Sequence, residues 1–160
     1  MILSSPKKKS KRILGVDFGL KRFGIALSDE SQIIATPLQT FLAEKKIDIT
    51  IKNFLTLIAQ LESNYLCQIE EIVIGLPLKM SGQMSLMGDE VNFFIQLLAQ
   101  QTTIPIKKWD ERLTTVQAER SLHLAGLNRK DRTKVVDKVS AAITLQSYLD
   151  FKRLTMQDQI

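Results

Sequence analysis

Apolar and polar positions change their rhythm twice along this chain. Arg12 to Gly19 (RILGVDFG) is an apolar run that enters a glycine turn, and Phe23 to Ser28 (FGIALS) follows directly as a second. Gln32 to Gln39 (QIIATPLQ) predicts a weaker third strand, with Pro37 marking its end or a sheet edge. Strands in quick succession, joined by short turns, predict an antiparallel meander.

The period then becomes helical. Between Glu44 and Glu62, residues Ile47, Ile51, Phe54, Leu55, Ile58 and Leu61 fall on one helical face. Ile69 to Ile74 reads as a buried strand that ends at Gly75-Leu76-Pro77, and Gly88 to Gln101 as a second helix. Ile104 to Trp109 is a further strand, closed by Asp110-Glu111. Two helices are predicted beyond it. One starts at Thr114, with Gln117 at capping-box spacing, and stops at Gly126; the other runs from about Thr133 to Lys152. This order predicts an α/β chain with a mixed central sheet, a meander continued by βαβ units and flanked by helices. It is the order of an RNase H-like fold, although periodicity alone also admits other mixed α/β folds.

Composition narrows the class. The 160 residues suit one domain, and 44% hydrophobic with 24% charged residues is a globular balance. No apolar run approaches the ~20 residues needed to span a bilayer. The segment Met1–Arg12 lacks the apolar centre of a secretory signal. Cys67 is the one cysteine, so an intramolecular disulfide and a Cys-rich zinc site are excluded; it is expected to be a small buried hydrophobe. A cytoplasmic protein without membrane contact is expected.

The net charge of +5 comes from the N-terminus. Lys7, Lys8, Lys9, Lys11 and Arg12 have no acid among them, and the rest of the chain balances 17 cations against 17 acids. The expected organisation is a flexible basic tail over 1–12, a domain over 13–152 and a C-terminal tail over 153–160. PKKKSKR reads as a solvated end, an arm that attracts nucleic acid, or an import-like motif.

Three acidic positions carry the candidate chemistry. Asp17 stands where the first strand enters glycines that let a phosphate or metal approach; it could equally cap a hairpin turn. Asp110 and Glu111 end a later strand, where alternation sends them to opposite faces, so one alone can reach a site shared with Asp17. Asp137 lies on the last helix in the register of Ser140, Ala141, Thr144 and Tyr148, small neighbours leaving it open; it could also be an acid of a helix's first turn. Magnesium sites need several hard carboxylate oxygens, and three acids on separate segments meet only through the fold.

At these residues the chain resembles the YqgF/RuvX family, relatives of the RuvC-type Holliday-junction resolvases. The matching motifs, in order over about residues 13–150, are Gly15-Val-Asp17-Phe-Gly19-Leu-Lys-Arg22-Phe-Gly24-Ile-Ala-Leu-Ser28-Asp29, then Val73-Ile-Gly75-Leu-Pro77-Leu-Lys-Met-Ser-Gly82, Asp110-Glu111-Arg112-Leu-Thr114-Thr115 and Asp137-Lys-Val-Ser-Ala141-Ala142. The resemblance implies an RNase H-like, cytoplasmic nuclease that matures the 5′ end of precursor 16S rRNA, with junction resolution as the older assignment. It places the acidic site on Asp17, Glu111 and Asp137. RuvC-type enzymes carry a further acid in the last motif, where this chain has Ser140, Ala141 and Ala142.

The site so expected binds Mg²⁺, with Mn²⁺ able to substitute; Asp17 bridges two ions, and Glu111 and Asp137 complete one each. Arg22 and Arg112 adjoin these acids and either neutralise phosphate charge or pair with the acids structurally. Arg129, Lys130, Arg132 and Lys134, in a loop (GLNRKDRTK) expected before the last helix, form a cationic flap for a phosphate backbone or an ordinary solvated connection. Lys79 and Ser81 are further phosphate-contact candidates, and His123 is expected on a surface or in a groove rather than as a base. The expected partner is nucleic acid, either precursor rRNA or branched DNA, bound by a monomer or weak homodimer. A non-catalytic binding module of the same fold is the rival reading. A two-domain sugar-kinase-like ATPase is excluded by length.

Overall fold

A computed structural model describes residues 5–76, 86–111 and 129–159; at 86 and 129–137 it describes the backbone alone. Five strands and three helices are found among them: β1 (Ser10–Asp17), β2 (Arg22–Ser28), β3 (Ala35–Leu42), α1 (Ile47–Asn64), β4 (Cys67–Leu76), α2 (Leu86–Ala99), β5 (Ile106–Asp110) and α3 (Arg129–Gln157). The sheet order is β3-β2-β1-β4-β5. The meander β1-β2-β3 is antiparallel, while β4 and β5 add parallel to β1. This is the expected mixed sheet, and the fold is RNase H-like.

Strand alternation divides the sheet into two faces. Leu14, Val16, Phe23, Ile25, Leu27, Ile72 and Ile74 join the buried residues of α1 and α2. Phe23 sits at the centre, its ring 5.1 Å from Phe94, 5.4 Å from Phe41 and 6.3 Å from Phe54. Each fully buried phenylalanine contributes roughly 1.5–3 kcal/mol by leaving water. On the other face, Ile13, Ala26 and Val73 pack against Ala141, Ala142, Leu145, Tyr148 and Leu149 of α3. Cys67 is buried at the start of β4, as its apolar character predicts.

Several boundaries differ from the pattern. The expected tail over 1–12 ends sooner, because Ser10, Lys11 and Arg12 pair with Cys67, Gln68 and Ile69. Arg12 is anchored further by donating to the Ser28 carbonyl at 3.2 Å. The third strand starts at Ala35 rather than Gln32. Asp29 accepts the backbone N–H groups of Ile33 and Ile34 at 2.7 and 3.0 Å, which makes the apolar Ile33-Ile34 pair a capped turn. Pro37 lies inside β3 opposite Ala26, beside a one-residue slip in the pairing, and this edge position leaves its missing N–H without cost.

The last helix begins at Arg129, not about Thr133, and continues to Gln157, past the expected domain limit at 152. No glycine or proline interrupts Arg129–Gln157, so nothing in the chain stops it sooner. The helix expected from Thr114 to Gly126 lies outside the described residues.

Candidate active site

β1 and β5 both run parallel to β4, so their C-terminal ends share one edge of the sheet. Asp17 ends β1, and Glu111 follows β5, its N–H donating to the Leu76 carbonyl at 3.3 Å. The paired rung Val16–Ile74 puts Asp17 level with Gly75, about 4.8 Å away across the strands. Asp17 shares strand parity with Ile13 and Gly15, on the face covered by α3.

Glycine at 75 is what lets Glu111 reach this rung. A Cβ built on Gly75 meets Glu111 Cδ at 2.7 Å and Cγ at 2.8 Å, and Oε1 closer still. The Glu111 carboxylate therefore occupies the space above Gly75, next to the strand end that carries Asp17. Asp110 falls on the opposite parity, that of Ile106, whereas Trp109 packs towards α3. Along the chain Gly75 marks only the end of the strand Ile69–Ile74. A glycine inside a strand pattern was the available signal of close approach.

A second glycine brings the last helix down. A Cβ at Gly15 would stand 2.7 Å from Leu145 Cβ and 3.2 Å from the Ala141 carbonyl oxygen. Further along, Tyr148 donates to Glu71, which pairs opposite Ile13, so α3 runs antiparallel to β1. Its N-terminal half therefore extends over the Asp17 end of the sheet. Position 137 lies about one turn, ~6 Å, before Ala141, in the register of Ala141, Thr144 and Tyr148. It is the ninth residue of the helix, so the first-turn reading of Asp137 is corrected. The side chain of Asp137 lies outside the described residues.

The base of α3 is locked away from this edge. Glu71 accepts the Tyr148 hydroxyl and the Lys152 ammonium, the latter at 2.6 Å. Burial pushes the Glu71 carboxyl up, but these two donors outweigh it and hold the group below its ordinary value. Burial and the Glu71 charge push the Tyr148 phenol well above its usual range. Trp109 links β5 to the same helix through its indole N–H to Ser147 Oγ at 3.1 Å and a ring contact with Tyr148 at 5.4 Å.

The expected cations divide by position. Arg22 opens β2 and, with Lys21, Gly19, Leu20 and Leu42, lines an open groove of about 670 Å³ beside the β1–β2 turn. Gly19 is required there, because a Cβ would strike the Arg22 carbonyl oxygen. Arg129, Lys130, Arg132 and Lys134 belong to the first turns of α3 and not to a loop. Arginine and lysine are good helix formers, so a run of them does not prevent the helix. Their side chains, with all of Arg112, Lys79, Ser81 and His123, lie outside the described residues. Among the described residues no three of His, Cys, Asp and Glu gather into a metal cluster.

The RuvX family, described as Holliday junction resolvase, matches residues 11–151. The chain belongs to the RuvX family. A relative from Protochlamydia amoebophila, named "Putative pre-16S rRNA nuclease", is 60% identical over 144 residues, covering 90% of this chain and 96% of the relative. A protein of the same name from Desulforamulus reducens is 40% identical over 87% of this chain and 96% of its own. Among solved structures, the fowlpox virus Holliday junction resolvase superposes with a TM-score of 0.52 at 13% identity, covering 87% of this chain and 98% of that one. At that identity the likeness is one of fold. In this RuvX chain no helix among the described residues is long and apolar enough to cross a membrane.

Proposed function

We propose that this chain is a divalent-metal-dependent nuclease that trims the 5′ end of precursor 16S rRNA, with Asp17, Glu111 and Asp137 as its acidic site. The observation that carries the reading is the Glu111 carboxylate seated over Gly75, one strand from Asp17. The curated relatives support the substrate, since proteins 60% and 40% identical bear a pre-16S rRNA nuclease name.

The residues suit a hard cation. Carboxylate oxygens are the ligands that Mg²⁺ and Mn²⁺ prefer, and the space above Gly75 admits a carboxylate because no Cβ fills it. Asp17, Glu111 and Asp137 would hold the metal, which when bound supplies positive charge to polarise a phosphate and activate water. The chain's own part is positional. Gly75 and the strand end fix Glu111, Gly15 seats α3 close to β1, and Arg22 with Lys21 borders the groove where a phosphate backbone can lie. The basic first turns of α3 project beyond the same edge and add charge for a polyanion.

A junction-resolving role is the second reading, favoured by the family's description and by the fold of the fowlpox enzyme. It requires a symmetric dimer to cut both strands, whereas a monomer or weak homodimer suffices for RNA trimming. The buried free thiol of Cys67 accords with a cytoplasmic setting.

The deciding experiment incubates the purified chain and its Asp17→Asn variant with precursor 16S rRNA and with four-way junction DNA, in Mg²⁺ or Mn²⁺. Metal-dependent trimming of the precursor by the wild type, lost in the variant, is expected. Junction cleavage in place of RNA trimming supports the second reading. An inert wild type that still binds RNA makes the chain an assembly module.

A further inference from the structure

The basic run Lys7–Arg12, which carries the whole net charge, stands apart from the Asp17 site. β1 spans Ser10 to Asp17, so at ~3.3 Å per residue its ends are about 23 Å apart. At the Ser10 end an open groove of about 550 Å³ is lined by Lys7, Lys8, Lys9, Glu30, Tyr65 and Leu66.

Its charges and its aromatic ring are arranged differently from a merely solvated end. Lys11 and Arg12 lean on Glu70 and Glu30 at 3.9 and 3.7 Å, whereas Lys7, Lys8 and Lys9 form no ion pair among the described residues. Their charge is available to a partner. Tyr65 caps the end of α1 and remains 39% exposed. The Arg12 guanidinium, anchored on the Ser28 carbonyl, lies 5.4 Å from the Tyr65 ring centroid, within cation–π range, and braces the ring. The next residue, Leu66, adopts φ 49°, a left-handed conformation that bulky side chains rarely take, and is 75% exposed. The chain thus presents a braced aromatic ring and an apolar side chain at the rim of a lysine-lined groove.

We propose that this groove is a second nucleic-acid contact, in which Lys7, Lys8 and Lys9 engage phosphates of a single-stranded segment while Tyr65 stacks on one of its bases. Unpaired bases offer a face to an aromatic ring, and lysines serve as point charges to the backbone. The inference rests on the reading of this chain as one that handles nucleic acid. It adds where the strand flanking the cleavage site is held. A separation of ~23 Å corresponds to about seven stacked nucleotides at ~3.4 Å each. Lys7, Lys8 and Lys9 also precede the segment that the family as a whole matches, which begins at residue 11. Tyr65, the stacking residue, lies within that segment.

The test is fluorescence anisotropy with the full chain and a labelled single-stranded RNA of about 16 nucleotides, in EDTA so that no cleavage occurs. Replacing Lys7, Lys8 and Lys9 together by glutamine is expected to weaken binding about tenfold or more. The slope of log affinity against log salt should fall by about 2, since each phosphate contact on a single strand contributes ~0.7. Tyr65→Ala should weaken binding about fivefold or more without changing that slope, and Tyr65→Phe should retain wild-type affinity. Melting temperatures equal to wild type show that the variants are folded. Wild-type affinity and slope in the triple variant, or wild-type affinity in Tyr65→Ala, overturns the proposal. So does a duplex RNA or polyglutamate competitor that displaces the probe as well as unlabelled single strand does. An uncut precursor with these binding effects intact sinks the nuclease reading alone, whereas metal-dependent trimming with the binding effects absent sinks the groove alone.

Discussion

The carboxylate of Glu111 lies directly over Gly75, in the volume that any larger residue's Cβ would claim. This makes Gly75→Ala an informative substitution. The colliding atoms belong to a flexible side chain, so the fold can yield by moving Glu111, at a stability cost of about 1 kcal/mol, the low end for overpacking. The carboxylate would then sit an ångström or more from its place, a displacement that can cost ~10²-fold in rate. The expected outcome is a melting temperature near wild type with precursor cleavage reduced roughly a hundredfold. Undiminished cleavage would show that the placement of Glu111 has no part in the reaction.

Asp17→Asn and Glu111→Gln keep side-chain shape and remove ligand charge. Each should abolish most metal-dependent cleavage while leaving the fold intact. If the acids act as one unit, the double variant should be hardly worse than either single. Mn²⁺ should restore activity to EDTA-treated enzyme as Mg²⁺ does, since both take oxygen ligands in octahedral geometry. Multiplicative losses in the double variant would argue for independent roles.

Gly15→Ala tests how closely α3 must approach. Here the added methyl meets Leu145 Cβ at 2.7 Å and a backbone carbonyl at 3.2 Å, atoms that move only with the helix. Overpacking of this kind costs about 1–3 kcal/mol, which for a chain of this size lowers the melting temperature by several degrees. Cleavage should fall as well, because α3 also carries position 137. A melting curve superimposable on wild type would mean that the helix seats differently.

The Glu71–Tyr148–Lys152 cluster sets a pH dependence of stability. The folded Glu71 carboxyl is depressed by Lys152 and Tyr148 against the opposing effect of burial, so its contribution is fully present above its unfolded value, near 4.5. That contribution disappears as pH falls through the lower folded value. Tyr148 has the opposite sign. Its folded value is raised, so its contribution holds below its unfolded value near 10 and fades only at strongly alkaline pH. Glu71→Gln should therefore lose roughly 1–3 kcal/mol at neutral pH, and the gap to wild type should narrow below about pH 4. Denaturant melts at pH 7 and pH 3 measure this. An equal gap at both would remove the ionised carboxylate from the account.

Much of this was legible along the chain, and the reason differs by element. The helical spacing of Ile47, Ile51, Phe54, Ile58 and Leu61 foretold α1, and the β-branched run Ile69–Ile74 foretold β4, because both periods follow from backbone geometry. Asp17 and Glu111 stood out as acids at strand ends. Ile33 and Ile34 misled because their apolar character suits a strand, whereas the Asp29 carboxylate captures their N–H groups in a turn. The basic segment Arg129–Lys134 suggested a loop by its charge, yet a helix without glycine or proline ran through it.

By itself, then, the sequence determined the alternation of meander and βαβ units, the charge-rich N-terminus and the acids at strand ends. Each is written in nearest-neighbour chemistry and local periodicity. Only the tertiary structure decided that β1 and β5 end on the same edge, since strand order depends on which strands pair and not on their order in the chain. It also decided that Gly75 makes room for Glu111 and that Gly15 admits α3, because a missing Cβ gains meaning only from what another segment places against it.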